Sequence, residues 1–219
     1  MNIALVIVTD GRQHCLVETI PSIEENLHGS FANRIIINDA GDDAYRTWLD
    51  ETYGHDHTII HHPERQGLAA ALRTAWTTAL AAGADFIWHA EDDMVYATPV
   101  DVEQIASLLE QHPGLAQISL KRQPVNSEEE RAGGFINLHP WDFWQRGGYV
   151  IHRTLFTFNP CLVPRRVAEL AMAQPGDGLE QGITETLIAH EYSFGILGTI
   201  EDEPRVTHVG HVRSAGWRP

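Results

Sequence analysis

The chain is short of positive charge. Lys and Arg number 15 against 30 Asp and Glu, a formal net charge of −15. That balance argues against binding nucleic acid or an anionic membrane over a broad basic face. An acceptor that is itself nucleic acid stays open, through a local patch drawn from Arg146, Arg153, Arg165 and Arg166. Cysteine is nearly absent. Cys15 and Cys161 alone exclude a disulfide framework and fit free thiols in a reducing compartment. No apolar run is long enough for a membrane helix, and Met1 to Asp10 lacks the basic region of a signal peptide. The expectation is a cytoplasmic protein without a membrane span. Repeats and low-complexity tracts are missing. So are the Gly-x-Gly-x-x-Gly and Walker fingerprints, which disfavours hydride transfer and P-loop chemistry.

What is present is an ordinary apolar fraction, 43% of 219 residues, enough for one domain with a real core. Ile3 to Val8 is a continuous apolar run, as expected for a parallel strand covered on both faces. Further strands are expected at Arg34 to Ile37, Thr58 to Ile60, Asp85 to His89 and Gln117 to Leu120. Helices are expected at Val17 to Leu27 with Pro21 near its first turn, at Gly67 to Ala82, and at Asp101 to Gln111 capped by Asp101. This alternation predicts an α/β fold with a mostly parallel, Rossmann-like sheet. The second half is less regular. Residues 123–148 form a polar, Gly-rich stretch with Trp141 and Trp144, read either as a functional lid or as a surface loop. Strands return near Tyr149 to Phe158, Phe194 to Ile200 and Arg205 to Val209, with helices at Arg165 to Gln174 and Glu180 to His190.

The densest chemistry is Glu91-Asp92-Asp93, three acids closing an apolar strand. Adjacent carboxylates repel, and a divalent cation with oxygen ligands is the usual neutraliser. In an extended chain Glu91 and Asp93 point one way and Asp92 the other. The alternative is a solvated acidic turn. Strand-end position favours a site, because ligands in open α/β sheets bind beyond the carboxyl ends of strands.

Four pieces now stand in order. One strand ends in Thr9-Asp10-Gly11-Arg12 and a second in Asn38-Asp39-Ala40-Gly41-Asp42-Asp43; Arg65-Gln66-Gly67 opens a helix, and a further strand ends in Glu91-Asp92-Asp93. This set resembles the nucleotide-sugar half of GT-A fold glycosyltransferases, near the inverting polysaccharide and lipopolysaccharide synthases. The resemblance covers residues 1 to about 122 and is looser beyond. It implies a single domain over 1–219, with a nucleotide-sugar half at 1–122 and an acceptor and catalytic half at 123–219. It implies that Asp39 meets base and ribose, that Thr9, Asp10 and Arg12 lie against the nucleoside, and that Arg65 and Gly67 approach base or phosphate. Glu91 and Asp93 fall on the outer positions of the family's Asp-x-Asp motif, with Asp92 between them. Asp93 would bind Mn²⁺ or Mg²⁺. Asp39 as a turn residue, Arg65 as a surface cation and Gly67 as a helix start are the alternatives.

Two later features carry the same resemblance. Asp177-Gly178-Leu179 leads into Glu180-Gln181, where inverting members hold the general base; Glu180 is the candidate and Glu185 the reserve. Ordinary acids near a helix start are the alternative. Val206-Thr207-His208-Val209-Gly210-His211 offers a late histidine to the metal, His208 before His211, in a chain with 13 histidines. The implied activity is metal-dependent transfer from a nucleoside diphosphate sugar, uridine-based by preference, to an acceptor hydroxyl with inversion. The acceptor is open: glycan, lipid-linked sugar, protein, small molecule or modified nucleic acid base. A sugar nucleotidyltransferase and a non-catalytic nucleotide-sugar-binding module are the competing readings.

Overall fold

The computed structural model describes residues 1–40, 42–173 and 180–210. Gly41, residues Asp177 to Leu179 and His211 lie outside them. In chain order the first elements are β1 (Ile3–Thr9), α1 (Gln13–Asn26), β2 (Leu27–His28), β3 (Phe31–Asn38), α2 (Asp43–Tyr53), β4 (Thr58–His61) and α3 (Leu68–Ala81). Then come β5 (Phe86–Glu91), β6 (Met94–Tyr96), β7 (Val100–Asp101), α4 (Val102–Gln111) and β8 (Leu115–Ser119). The second half holds α5 (Ser127–Ala132), α6 (Phe135–Leu138), a 3-10 turn (Pro140–Asp142), β9 (Phe143–Arg146) and β10 (Tyr149–His152). It closes with β11 (Cys161–Pro164), α7 (Arg165–Met172), α8 (Glu180–Ala189), β12 (Ser193–Leu197) and β13 (Val206–His208).

Nine strands form one sheet in the order β4-β3-β1-β5-β11-β8-β12-β10-β9. The first four run parallel, β11 runs antiparallel to both β5 and β8, and β12 is parallel to β8. The apolar run of β1 divides between two cores by its period of two. Ile3, Leu5 and Ile7 pack with Leu16, Ile20 and Ile23 of α1 and with Ile105 and Leu109 of α4. Ala4, Val6 and Val8 face Ala71, Ala75 and Trp76 of α3, Val167 of α7, and Ile183 and Leu187 of α8. The expectation of an α/β, mostly parallel sheet holds at this level.

Several expectations change. Helix α1 begins at Gln13, so Pro21 lies inside it; Pro21 and Val17, whose carbonyl the ring blocks, both face outward. Helix α2 was not expected. It buries only Tyr45 and Leu49, and Asp42 caps it by accepting from the Tyr45 N–H at 2.8 Å. The 123–148 stretch is largely ordered into α5, α6, the 3-10 turn and β9. Trp141 and Trp144 stay on the surface, 87% and 51% exposed. The strand after Tyr149 stops at His152, and β11 enters the centre of the sheet.

Candidate functional site

The register aligns Thr9 with Asn38 and Val8 with Glu91, so the carboxyl ends of β1, β3 and β5 form one ledge. Asp10 and Asp39 continue two of these strands, and Asp92 follows the third. All of these, with Asp93, are buried. Burying that many carboxylates needs counter-charge or donors on each.

Arg12 supplies most of it. Its guanidinium ion-pairs with Asp92 and Asp93, and its Nε lies 3.1 Å from Asp10 Oδ1. Thr9 Oγ1 donates to Asp92 Oδ2 at 2.7 Å, and Tyr45 Oη lies 2.8 Å from the same hydroxyl. Burial still pushes the Asp92 carboxyl up to about 7 against Arg12 and Thr9. At Asp93 burial works the same way, but the hydrogen bond with His208 and the charge of Arg12 outweigh it and hold the carboxyl below its ordinary range. The strand ends at Glu91, and the chain turns at Asp92-Asp93. Strict alternation therefore stops. Asp92 and Asp93 share the guanidinium, whereas Glu91 faces another space.

His208 reaches Asp93 through strand pairing. β13 runs antiparallel to β6 with His208 opposite Met94, and Val209 N–H donates to Asp93 O at 2.8 Å. His208 Nε2 then lies 3.1 Å from Asp93 Oδ2. Gln123, which carried no expectation, holds His208 by its backbone: its Oε1 accepts from the His208 N–H at 2.8 Å, and its Nε2 donates to the carbonyl at 2.9 Å. A Cβ on Gly210 would overlap Asp93 Oδ2 and Arg12 Nη1, so the backbone at Gly210 lies directly against the ion pair. Among the described residues no cluster of three or more His, Cys, Asp or Glu has metal-binding geometry. Asp93 Oδ1, however, is buried with no hydrogen-bond partner among them. One carboxylate with a spare oxygen and one imidazole suit a cation that keeps waters and takes phosphate oxygens.

Asp39 is an anchor. Its Oδ1 takes the Gln66 N–H at 2.8 Å and lies 2.7 Å from His62 Nδ1, while Oδ2 takes the Gly67 N–H at 2.8 Å. Gly67 caps α3 at φ 90°, a conformation that favours glycine. Arg65 is exposed but donates to the Asp10 carbonyl at 2.8 Å, tying this loop to the β1 turn.

Glu91 opens on a cavity of about 400 Å³ lined by Leu68, Glu91, Phe158, Asn159, Glu180 and Gln181. Burial and the charges of Asp93, Asp92 and Glu180 raise the Glu91 carboxyl well above its ordinary value. Glu180 stands in the first turn of α8, and its Oε1 accepts from the Phe158 N–H at 2.8 Å. Glu185 is exposed and accepts from Gln181 at 3.0 Å; it is not among the residues lining the cavity. No residue of 123–148 is among the described residues lining this cavity. Phe158 and Asn159 were missed, although a polar Asn in the apolar run Phe156 to Leu162 was a usable signal. The four arginines do not gather into a patch: Arg153 donates to Ile188 O, Arg165 pairs with Glu169, Arg166 donates to Pro113 O, and Arg146 ends β9. Among the described residues no helix is long and apolar enough to cross a membrane.

Similarity to known proteins can now be set beside this geometry. The profile of glycosyl transferase family 2 matches residues 4–164. No curated protein matches the chain in sequence. Among solved structures, GalNAc-T7 with UDP, GalNAc and Mn²⁺ superposes at a TM-score of 0.66 with 10% identity, over 99% of this chain and 44% of its own. TarS of S. aureus superposes at 0.67 with 12% identity, over 95% of this chain and 37% of its own. A 1–349 form of TarS gives 0.63 and 12%, over 96% and 61%. This chain thus spans less than two thirds of each of those chains. With the family match covering most of its length and those structures sharing its sheet, the chain belongs to glycosyl transferase family 2 and has the GT-A fold.

Proposed function

We propose that the chain transfers a sugar from a nucleoside diphosphate sugar, a UDP-sugar by preference, to an acceptor hydroxyl with inversion. The observation that carries this reading is the shared cavity, which brings Glu180 from the second half against Glu91, two residues from Asp93. Thr9, Asp10 and the loop of Arg65 and Gly67 form the nucleoside side, with Asp39 shaping it through the Gln66 and Gly67 N–H groups. Asp93 and His208 would hold Mn²⁺ or Mg²⁺, supported by the spare Asp93 oxygen and by the Mn²⁺ and UDP in the GalNAc-T7 structure. The ion would act as a Lewis acid that offsets charge on the departing diphosphate.

Glu180 is the general base. Its Oε1 is occupied by the Phe158 N–H, so the proton of the attacking hydroxyl goes to Oε2. Phe158 and Leu68 line the cavity beside it and limit water. The two free, buried cysteines support a reducing, cytoplasmic setting.

Isothermal titration of UDP with and without Mn²⁺, in the wild type and in Asp93→Asn, tests the reading. UDP should bind tightly only with Mn²⁺, and the substitution should abolish that dependence while the protein stays folded. Unchanged Mn²⁺-dependent binding in folded Asp93→Asn would overturn the assignment.

A further inference from the structure

Beneath the ordered 123–148 segment lies a second pocket of about 80 Å³. Leu120, Phe135, Ile136, Leu155 and Ile196 give it apolar walls. Asn159 belongs to this pocket and to the Glu180 cavity alike, so the two spaces meet at one residue. The cations at its edge are committed. Lys121 Nζ donates to the carbonyls of Ile200 and Asp202 at 2.8 and 2.5 Å, and Arg122 is held by Glu129 at 2.6 Å.

Among the buried polar side chains of the lining, one keeps an atom without a partner. His152 is buried, with Nδ1 2.8 Å from Thr154 Oγ1 and its ring fixed between Phe143 and Phe194 at 4.8 and 5.6 Å. Burial pushes its pKa down to about 4, so the imidazole is neutral near pH 7. Its Nε2 is buried and has no partner among the described residues. An orphaned buried nitrogen carries a desolvation penalty that a ligand oxygen relieves. A hydroxyl does so for either tautomer, because it both donates and accepts. The volume limits the guest: an apolar cavity of roughly 150 Å³ takes benzene, so this one takes a group of a few carbons.

We propose that the pocket is the acceptor's specificity site, receiving a small neutral alkyl group whose oxygen meets His152 Nε2, while the reacting hydroxyl lies past Asn159 beside Glu180. The acceptor is then an amphipathic molecule and not a uniformly hydroxylated glycan. The acceptor role rests on the glycosyl-transfer reading; the pocket's preference for a neutral alkyl alcohol does not.

The probe is 2-methyl-1-propanol, with glycerol as the polyhydroxyl control, titrated into the full chain and read from the methyl NMR signals of Leu120, Ile136, Leu155 and Ile196. The branched alcohol should give saturable shifts at these methyls and glycerol none. Leu155→Phe, at a part-exposed position, should fill the pocket and remove the shifts. His152→Phe should weaken binding about fivefold, the worth of one neutral hydrogen bond. UDP titration with Mn²⁺ on the same samples separates the two readings. Absence of saturable shifts in wild type that binds UDP overturns the pocket, as do shifts that survive in folded Leu155→Phe. Alcohol binding without UDP binding keeps the pocket and overturns its acceptor role.

Discussion

On the β1–β3–β5 side of the sheet four carboxylates are buried, and each is held: Asp10, Asp92 and Asp93 by Arg12, and Asp39 by His62 and two backbone N–H groups. On the β10–β12 side the buried His152 is held through one nitrogen and otherwise packed between the rings of Phe143 and Phe194. The difference follows from what burial does to each group. A carboxylate that stays ionised needs its partners in advance, whereas an imidazole can enter the interior by giving up its proton. One side is therefore pre-wired for charge, and on the other a neutral ring is buried without a full set of partners.

The comparison can be broken first at the point where the halves meet. Glu180→Gln should lower kcat by about 10²–10⁴-fold, as removal of a general base implies, with UDP affinity unchanged. Near-full activity would move the reading toward a retaining mechanism.

Next in size is Arg12→Met. It strands Asp92 and Asp93 without their cation and should cost about 3–5 kcal/mol in urea unfolding, as losing one partner of a buried ion pair does. A cost near zero would mean that the network is not paired in solution. Asp39→Asn keeps the shape but weakens acceptance of the Gln66 and Gly67 N–H groups. A loss of about 1–3 kcal/mol is expected, together with weaker UDP binding. Weaker binding without any loss of stability would return Asp39 to direct nucleotide contact.

The histidine side is sharpened by pH. His152 takes its proton at about 4 when folded, against an ordinary 6.5. Its contribution to stability is complete above 6.5 and is lost as pH falls from there toward 4. The slope is about 1.4 kcal/mol per pH unit for each such proton. His89, depressed by burial to about 3, adds to the same acid limb. His152→Phe should flatten that limb without lowering stability at pH 7. An unchanged slope would show that His152 is not buried neutral. The smallest effect belongs to Trp141→Ala, within about 0.5 kcal/mol, because the ring is exposed.

Much of this was legible in the residues. The apolar runs located β1, β3, β4, β5 and β8, and Asp101 does cap α4 through the Gln104 N–H at 2.9 Å. Glu180 and His208 were singled out, and the fold sets Glu180 on the cavity and His208 on Asp93. What escaped depends on distant chain segments. Helix α2 is an exception: Tyr45, Trp48, Leu49 and Tyr53 recur at helical spacing and face the core, a usable signal that was missed. The reach of Arg12 across three acids depends on where the β1 and β5 turns end in space. Asp39 reads as a ligand or a turn residue until the Gln66 and Gly67 N–H groups are seen to occupy it.

The placement of β11 bears on how the chain assembles. β5 and β8 are not adjacent; they are joined only through Cys161–Pro164, which hydrogen-bonds to both. During synthesis β1, β3, β4 and β5 can associate early, but β5 keeps an open flank until this much later segment arrives. Such long-range closure slows folding and leaves a bare strand edge in the interim, a template for pairing with other chains. For the same reason the first 122 residues are not a separable piece. Expressed alone, they would lack the strand that joins β8 to the rest of the sheet.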